Sequence, residues 1–180
     1  MKNDALTTYL QDHLAGALHA IEVLKAMCDH FGGESLGIFA GEVLRDVEAD
    51  REVLAKLTER VGGTPGGVKE WGAWLAEKVS RIKLKHGSAD ELGTFEALEF
   101  LVVGIHGKRA LWRVLAELDD PRLQGFDFAE LIARAENQHQ RVEERRLACA
   151  EAVFRRSPED RGPGHAGKMP QDNQTSGKKR

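Results

Sequence analysis

Cysteine is nearly absent from this chain. Two cysteines in 180 residues, Cys28 and Cys149, cannot supply the paired spacings of a zinc ribbon or a dithiol redox motif. Both fall at apolar helical positions and read as reduced core thiols. Aromatic residues are sparse as well, at 6%, and Trp71, Trp74 and Trp112 read as packing anchors. No apolar run approaches the roughly 20 residues of a membrane span. The opening stretch, MKNDALTTYLQDHLAG, has no hydrophobic region of the signal-peptide kind. The expectation is a cytoplasmic protein with no membrane contact. Charge of one sign is missing too: a net charge of -3 gives composition no case for nucleic-acid binding. There is no Ser-His-Asp arrangement, no phosphate loop and no zinc-finger spacing, and almost nothing reads as strand.

With 41% hydrophobic and 31% charged residues, the chain suits one domain with a modest core, followed by a tail. The domain spans 1–156. The tail, SPEDRGPGHAGKMPQDNQTSGKKR (157–180), is poor in apolar residues and rich in turn formers, so disorder is expected.

Helical periodicity fills the domain. The first helix is expected over 4–30, with Leu6, Leu10, Leu14, Ala17, Ile21, Leu24 and Cys28 on one face. Gly32 and Gly33 end it, and Ser35 is placed to cap the second helix, 36–61. GGTPGG (62–67) breaks the chain. A third helix is expected over 90–118, with SADE (88–91) as its capping box, and a fourth over 128–155. Asp127 is the N-cap of the fourth, Glu130 its N3 residue, and Phe126 and Leu131 its hydrophobic staple. Between the second and third helices, 68–85 is also amphipathic, through Val68, Trp71, Leu75, Val79 and Ile82. As a helix it would span about 27 Å, enough to carry the chain most of the way back along the bundle. The architecture expected is all-α: two helical hairpins joined by a helical crossover.

Each helix carries a polar residue on its apolar stripe. Asp50 lies amid Phe39, Val43, Val47, Leu54, Leu57 and Val61 in the second helix; Asp46 flanks that stripe. His13 lies on the inner face of the first helix. Lys108 lies among Ala97, Leu101, Gly104, Leu111 and Leu115 in the third, a helix apolar on most sides and therefore expected to be the most buried. In the fourth, His139 lies inside the stripe of Phe128, Ile132, Ala135, Val142, Cys149 and Val153, with Gln138 and Glu136 at its edges. Asp50 and Lys108 are each about 17 residues along their helices from comparable ends, and His13 about 20, so the levels agree within roughly one turn. His13, Asp50, Lys108, Gln138 and His139 are therefore expected to form one polar layer at mid-bundle. A buried charge must be paired, and Asp50 with Lys108 is the natural pair.

Three readings of this layer stand side by side. It is a satisfied network that fixes helix register; or a metal site, since Asp and His suit iron, manganese or zinc; or an acid–base site built on perturbed His and Lys. Lys108 argues against metal, because a cation competes for Asp50. Glu136 and His139 argue for it, because Glu-x-x-His sets two ligands on one helix face. Arg134, beside the layer, is expected to neutralise Asp46 or Glu136, and Arg146 to lean inward from the otherwise solvated face RVEERR (141–146).

The four-helix pattern, the amphipathic crossover and ENQH (136–139) make residues 5–155 resemble the ferritin-like superfamily. YLQDHLAGA (9–17), EADR (48–51), EKVSRIKLK (77–85), GKRALWRVL (107–115) and RAENQ (134–138) are similar to an uncharacterised group of bacterial ferritin-like proteins, to which no reaction attaches. The di-iron pattern of the superfamily transfers at Glu136 and His139. The second helix has Asp46 and Asp50 but no histidine, His13 stands where the first helix should carry Glu, and Glu96 and Glu99 lie nearer the start of the third helix than the layer. The resemblance therefore implies a ferritin-like bundle without a standard di-iron centre: a non-enzymatic stress or interaction protein that needs no cofactor. The alternative is an atypical oxidoreductase binding iron or manganese through His13, Asp46, Asp50, Glu136 and His139. Ferritin-like bundles often associate, so a homodimer is an expectation of the resemblance.

Overall fold

The computed structural model describes residues 5–64 and 88–155. They form four α-helices, α1 (Ala5–Phe31), α2 (Ser35–Arg60), α3 (Ser88–Glu117) and α4 (Phe128–Phe154), with a 3-10 turn at Pro121–Leu123 and no strand among the described residues. The expected boundaries hold to within two residues. The segment 68–85, with Trp71 and Trp74, and the tail 157–180 lie outside the described residues.

Local chemistry sets the ends. Gly32 closes α1 at φ +50°, and its N–H donates to the Cys28 carbonyl at 2.9 Å. Gly37 then passes so close that a Cβ on it would lie 2.3 Å from the Gly32 carbonyl oxygen. Ser35 is not the cap of α2. Glu34 holds that position without a side-chain hydrogen bond, because the two-glycine turn is short enough that Ser35 is already helical. Asp127 caps α4 as expected, its carboxylate accepting the Glu130 N–H at 2.9 Å. Phe126 and Leu131, the expected staple, belong to one apolar cluster.

α1 packs on α2 and α3 on α4, as two hairpins; α1 meets α3 over a smaller area. The end of α2 is tied to the turn that follows α3. Arg60 donates to the Gln124 carbonyl at 2.6 Å and lies over the Phe126 ring, and Arg122 reaches the Val61 carbonyl at 3.5 Å. α2 and α3 therefore run toward the same end of the bundle.

The core is divided in two. One cluster holds Ile21, Leu24, Met27, Val43, Val47, Leu98, Leu101, Ile105 and Val142; the other holds Leu10, Leu14, Leu54, Leu57, Leu111, Trp112, Leu115, Leu131 and Ala135. Cys28 and Cys149 are free thiols packed against the first cluster, and burial pushes both thiols up. α3 is not buried all round: Val103 is 67% exposed and Val114 is also open, because among the described residues α3 has packed partners on only part of its circumference. Among the described residues no helix is long and apolar enough to cross a membrane.

Candidate functional site: a buried ionic node

The gap between the two apolar clusters falls at one level on three helices. On α2 it lies between Val47 and Leu54, on α3 between Ile105 and Leu111, and on α4 between Ala135 and Val142. Asp50, Lys108 and Gln138 fill it. Asp50 is 1% exposed. Its Oδ2 accepts from Lys108 Nζ at 2.5 Å and from Gln138 Nε2 at 3.0 Å. Lys108 Nζ also donates to Gln138 Oε1, closing a three-membered ring of contacts. Oδ1 faces Arg134 Nη2 at 2.7 Å, an ion pair whose angles are not those of a hydrogen bond.

Two cations therefore meet one carboxylate, with an amide bridging. Desolvation pulls the Lys108 ammonium below its usual range, and the Asp50 charge and hydrogen bond act in the opposite direction. That balance is what a buried pair requires: attraction between the charges must offset the loss of water from both.

The structure brings together Asp50, Lys108 and Gln138 from the expected layer. It does not bring His13 or His139 into hydrogen bonding with them. His13 stacks edge-on against Tyr9 at 4.8 Å, and desolvation lowers its pKa, with Asp12 acting the other way. His139 lies 6.0 Å, ring to ring, from His106. The reason is the rotation of α4. Its buried line runs Leu131, Ala135, Gln138, Val142, so Gln138 is central and His139 sits to one side. Apolar periodicity points at His139 because Phe128 and Ile132 are only partly buried and bias the stripe by one position.

Two further expected ligands turn outward. Asp46 pairs with Arg141 at 3.0 Å, and Arg141 also holds Glu42 at 2.9 Å. Glu136 is 48% exposed and stands 3.9 Å from Arg109. His13, Asp46, Asp50, Glu136 and His139 thus do not converge, and among the described residues no group of three or more His, Cys, Asp or Glu could hold a metal ion. Arg134 neutralises Asp50 rather than Asp46 or Glu136. The signal was in the sequence: Arg134 lies one helical turn before Gln138 and so shares its face. Arg146 does lean in, pairing with Glu143 at 2.7 Å and Glu99 at 3.2 Å.

No family model, curated protein or solved structure matches the chain. The functional reading therefore stands on this geometry.

Beside the node lies a half-open cavity of about 400 Å³, lined by α1, α2 and α3. Lys108 and Asp50 reach its wall, as do His13, Arg51 and Trp112. The walls are otherwise mainly apolar. α1 contributes Gly16, Ala17 and Ala20, and α3 contributes Gly104 and Gly107. Small residues on both helices leave this side of the layer unfilled.

Proposed function

We propose that the protein is a non-enzymatic, ferritin-like bundle in which an ionic lock takes the place of a metal centre, and that it serves as a stress or interaction protein. The observation that carries the reading is the Lys108 ammonium at 2.5 Å from Asp50. A cation already sits on the carboxylate that a metal would need, and a second, Arg134, covers its other oxygen at 2.7 Å. The common direction of α2 and α3 supports ferritin-like wiring, which goes with a crossover over 68–85. A bacterial, cytoplasmic homodimer is the form that accompanies this reading.

An atypical iron or manganese oxidoreductase is the competing reading, and it would require Asp46 and Glu136 to leave their arginines and turn inward. Elemental analysis decides between the two, on protein purified without a metal-affinity tag and then incubated with Fe(II), Mn(II) or Zn(II). The expected result is no stoichiometric metal and a strongly destabilised Asp50→Ala variant. Stoichiometric metal that disappears in both Asp50→Ala and His139→Ala would overturn the lock.

A further inference from the structure

The charges on the wall of the cavity beside the node cancel. Two carboxylates, Asp12 and Asp50, stand against two cations, Arg51 and Lys108. Desolvation lowers the pKa of His13 from the ordinary 6.5, so it adds no charge at neutral pH. The unpartnered polar atoms of the wall are also of both kinds. Among the described residues the donors Trp112 Nε1 and Arg51 Nε have no hydrogen-bond partner, and neither has the acceptor Asp50 Oδ1, which faces Arg134 as an ion pair. Trp112 is wholly buried. Native structures rarely leave such groups unpaired, because each costs free energy. An ion of either sign would bring an uncancelled charge into this slot, and burying an unpaired charge is costly. A hydroxyl brings none, and it both donates and accepts.

The rest of the wall is apolar, through residues such as Ala17, Ala20, Leu54, Val103 and Leu111. Glycine on both sides makes room. Among the described residues a Cβ added at Gly16, Gly104 or Gly107 would meet nothing within 4 Å. No close approach there demands glycine, yet each weakens its helix relative to alanine. Wall residues run from Phe100 to Trp112 on α3, so the slot is roughly 18 Å long at 1.5 Å per residue. Its volume of about 400 Å³ lies within the range of small-molecule sites, roughly 300–1,000 Å³.

We propose that this slot binds a neutral amphiphile, an apolar chain bearing one hydroxyl, with the hydroxyl accepting from Trp112 Nε1 and the chain lying along the glycines. The cancelled charge of the wall selects against ions of both signs. The apolar stretch takes the chain. Trp112 is the anchor because its indole N–H is the one unpartnered donor on a wholly buried side chain. This reading goes beyond the lock and uses none of its contacts, so the metal test above and the test below fail separately.

The test uses the full-length chain and 1-decanol below its solubility limit, titrated by calorimetry, with decanoate and decylammonium as charged counterparts of the same chain length. Saturable one-to-one binding of decanol is expected, with 1-octanol roughly tenfold weaker for the loss of two buried methylenes. Both ions should bind at least about tenfold more weakly than decanol. Gly104→Leu on α3 and Gly16→Leu on α1 should each abolish binding by filling the slot. Leucine favours the helix over glycine, so neither variant should unfold at lower urea than the native protein, and lost binding then reports the slot rather than the fold. Decanol should also move the indole N–H resonance that Trp112→Phe removes. No saturable uptake of decanol would overturn the proposal. So would either ion binding as tightly as decanol, undiminished binding by both leucine variants, or a Trp112 resonance that decanol leaves in place.

Discussion

Lys108→Met removes one charge of the node and leaves the other in place. Asp50 is 1% exposed and cannot turn to water. Breaking a buried pair from one side costs about 3–5 kcal/mol. Arg134 still faces Oδ1 at 2.7 Å, so the low end, about 3 kcal/mol, is expected. Asp50→Leu strands Lys108 instead and should cost about the same. Added independently, the two would remove about 6 kcal/mol, a large share of the roughly 5–15 kcal/mol that holds a domain together. The double variant Asp50→Leu/Lys108→Met contains no stranded charge in the core. What it strands is the Gln138 amide, at about 2 kcal/mol, while the half-buried Arg134 is free to turn toward solvent. The coupling between positions 50 and 108 is therefore about 4 kcal/mol, in the range of close charge pairs. Urea unfolding at neutral pH, read as midpoint and slope for all four proteins, measures it. The coupling should persist in high salt, because ions screen buried pairs poorly. Additivity within about 0.5 kcal/mol would refute the pair.

His13 links the fold to pH. Desolvation lowers its pKa from the ordinary 6.5, so the unfolded chain takes up a proton first as pH falls. The stability this neutral histidine contributes is fully present above 6.5 and is lost as pH drops through the lower folded value. In His13→Gln the decline in unfolding free energy across that window should be shallower than in the native protein, and an identical slope would show that His13 does not contribute it. At the N-terminus of α4, Asp127→Ala removes the acceptor of the Glu130 N–H and should cost about 1 kcal/mol in thermal or urea unfolding, with Asp127→Ser recovering most of it.

How much of this was legible in the sequence follows from which signals have a period. Four helices were legible because apolar residues recur every three or four positions over more than twenty residues in each. Asp50 and Lys108 were legible for the same reason: a charge inside a long apolar stripe has no second explanation on the wheel. Gln138 and His139 were not separable. They are adjacent, 100° apart, and the apolar stripe is itself wider than that, so only packing decides which one enters the core. Asp46 and Glu136 were legible only as stripe-edge residues, because the pattern shows that a residue flanks a stripe, not that Arg141 or Arg109 stands outside to pair with it.

The node also answers what a polar layer does in a protein of this size. Above and below it each helix offers apolar layers of similar shape, Val43 and Val47 on one side of Asp50 and Leu54 and Leu57 on the other. A slip of one helix by a turn would exchange apolar for apolar at little cost, were the middle apolar too. With the node present, the same slip carries Asp50 away from Lys108 and Gln138 and sets an unpaired carboxylate against aliphatic side chains. Stability and register are then separable quantities. The triple variant Asp50→Leu/Lys108→Met/Gln138→Leu leaves no member of the node stranded on the three helices that form the layer. It should match or exceed the native protein in unfolding free energy. Its amide spectrum should be broadened or doubled by alternative helix registers, and it should bind a hydrophobic dye that the native protein ignores. A triple variant with one sharp, native-like set of resonances would mean that the surrounding packing fixes register by itself, and that the ionic layer is kept for some purpose other than architecture.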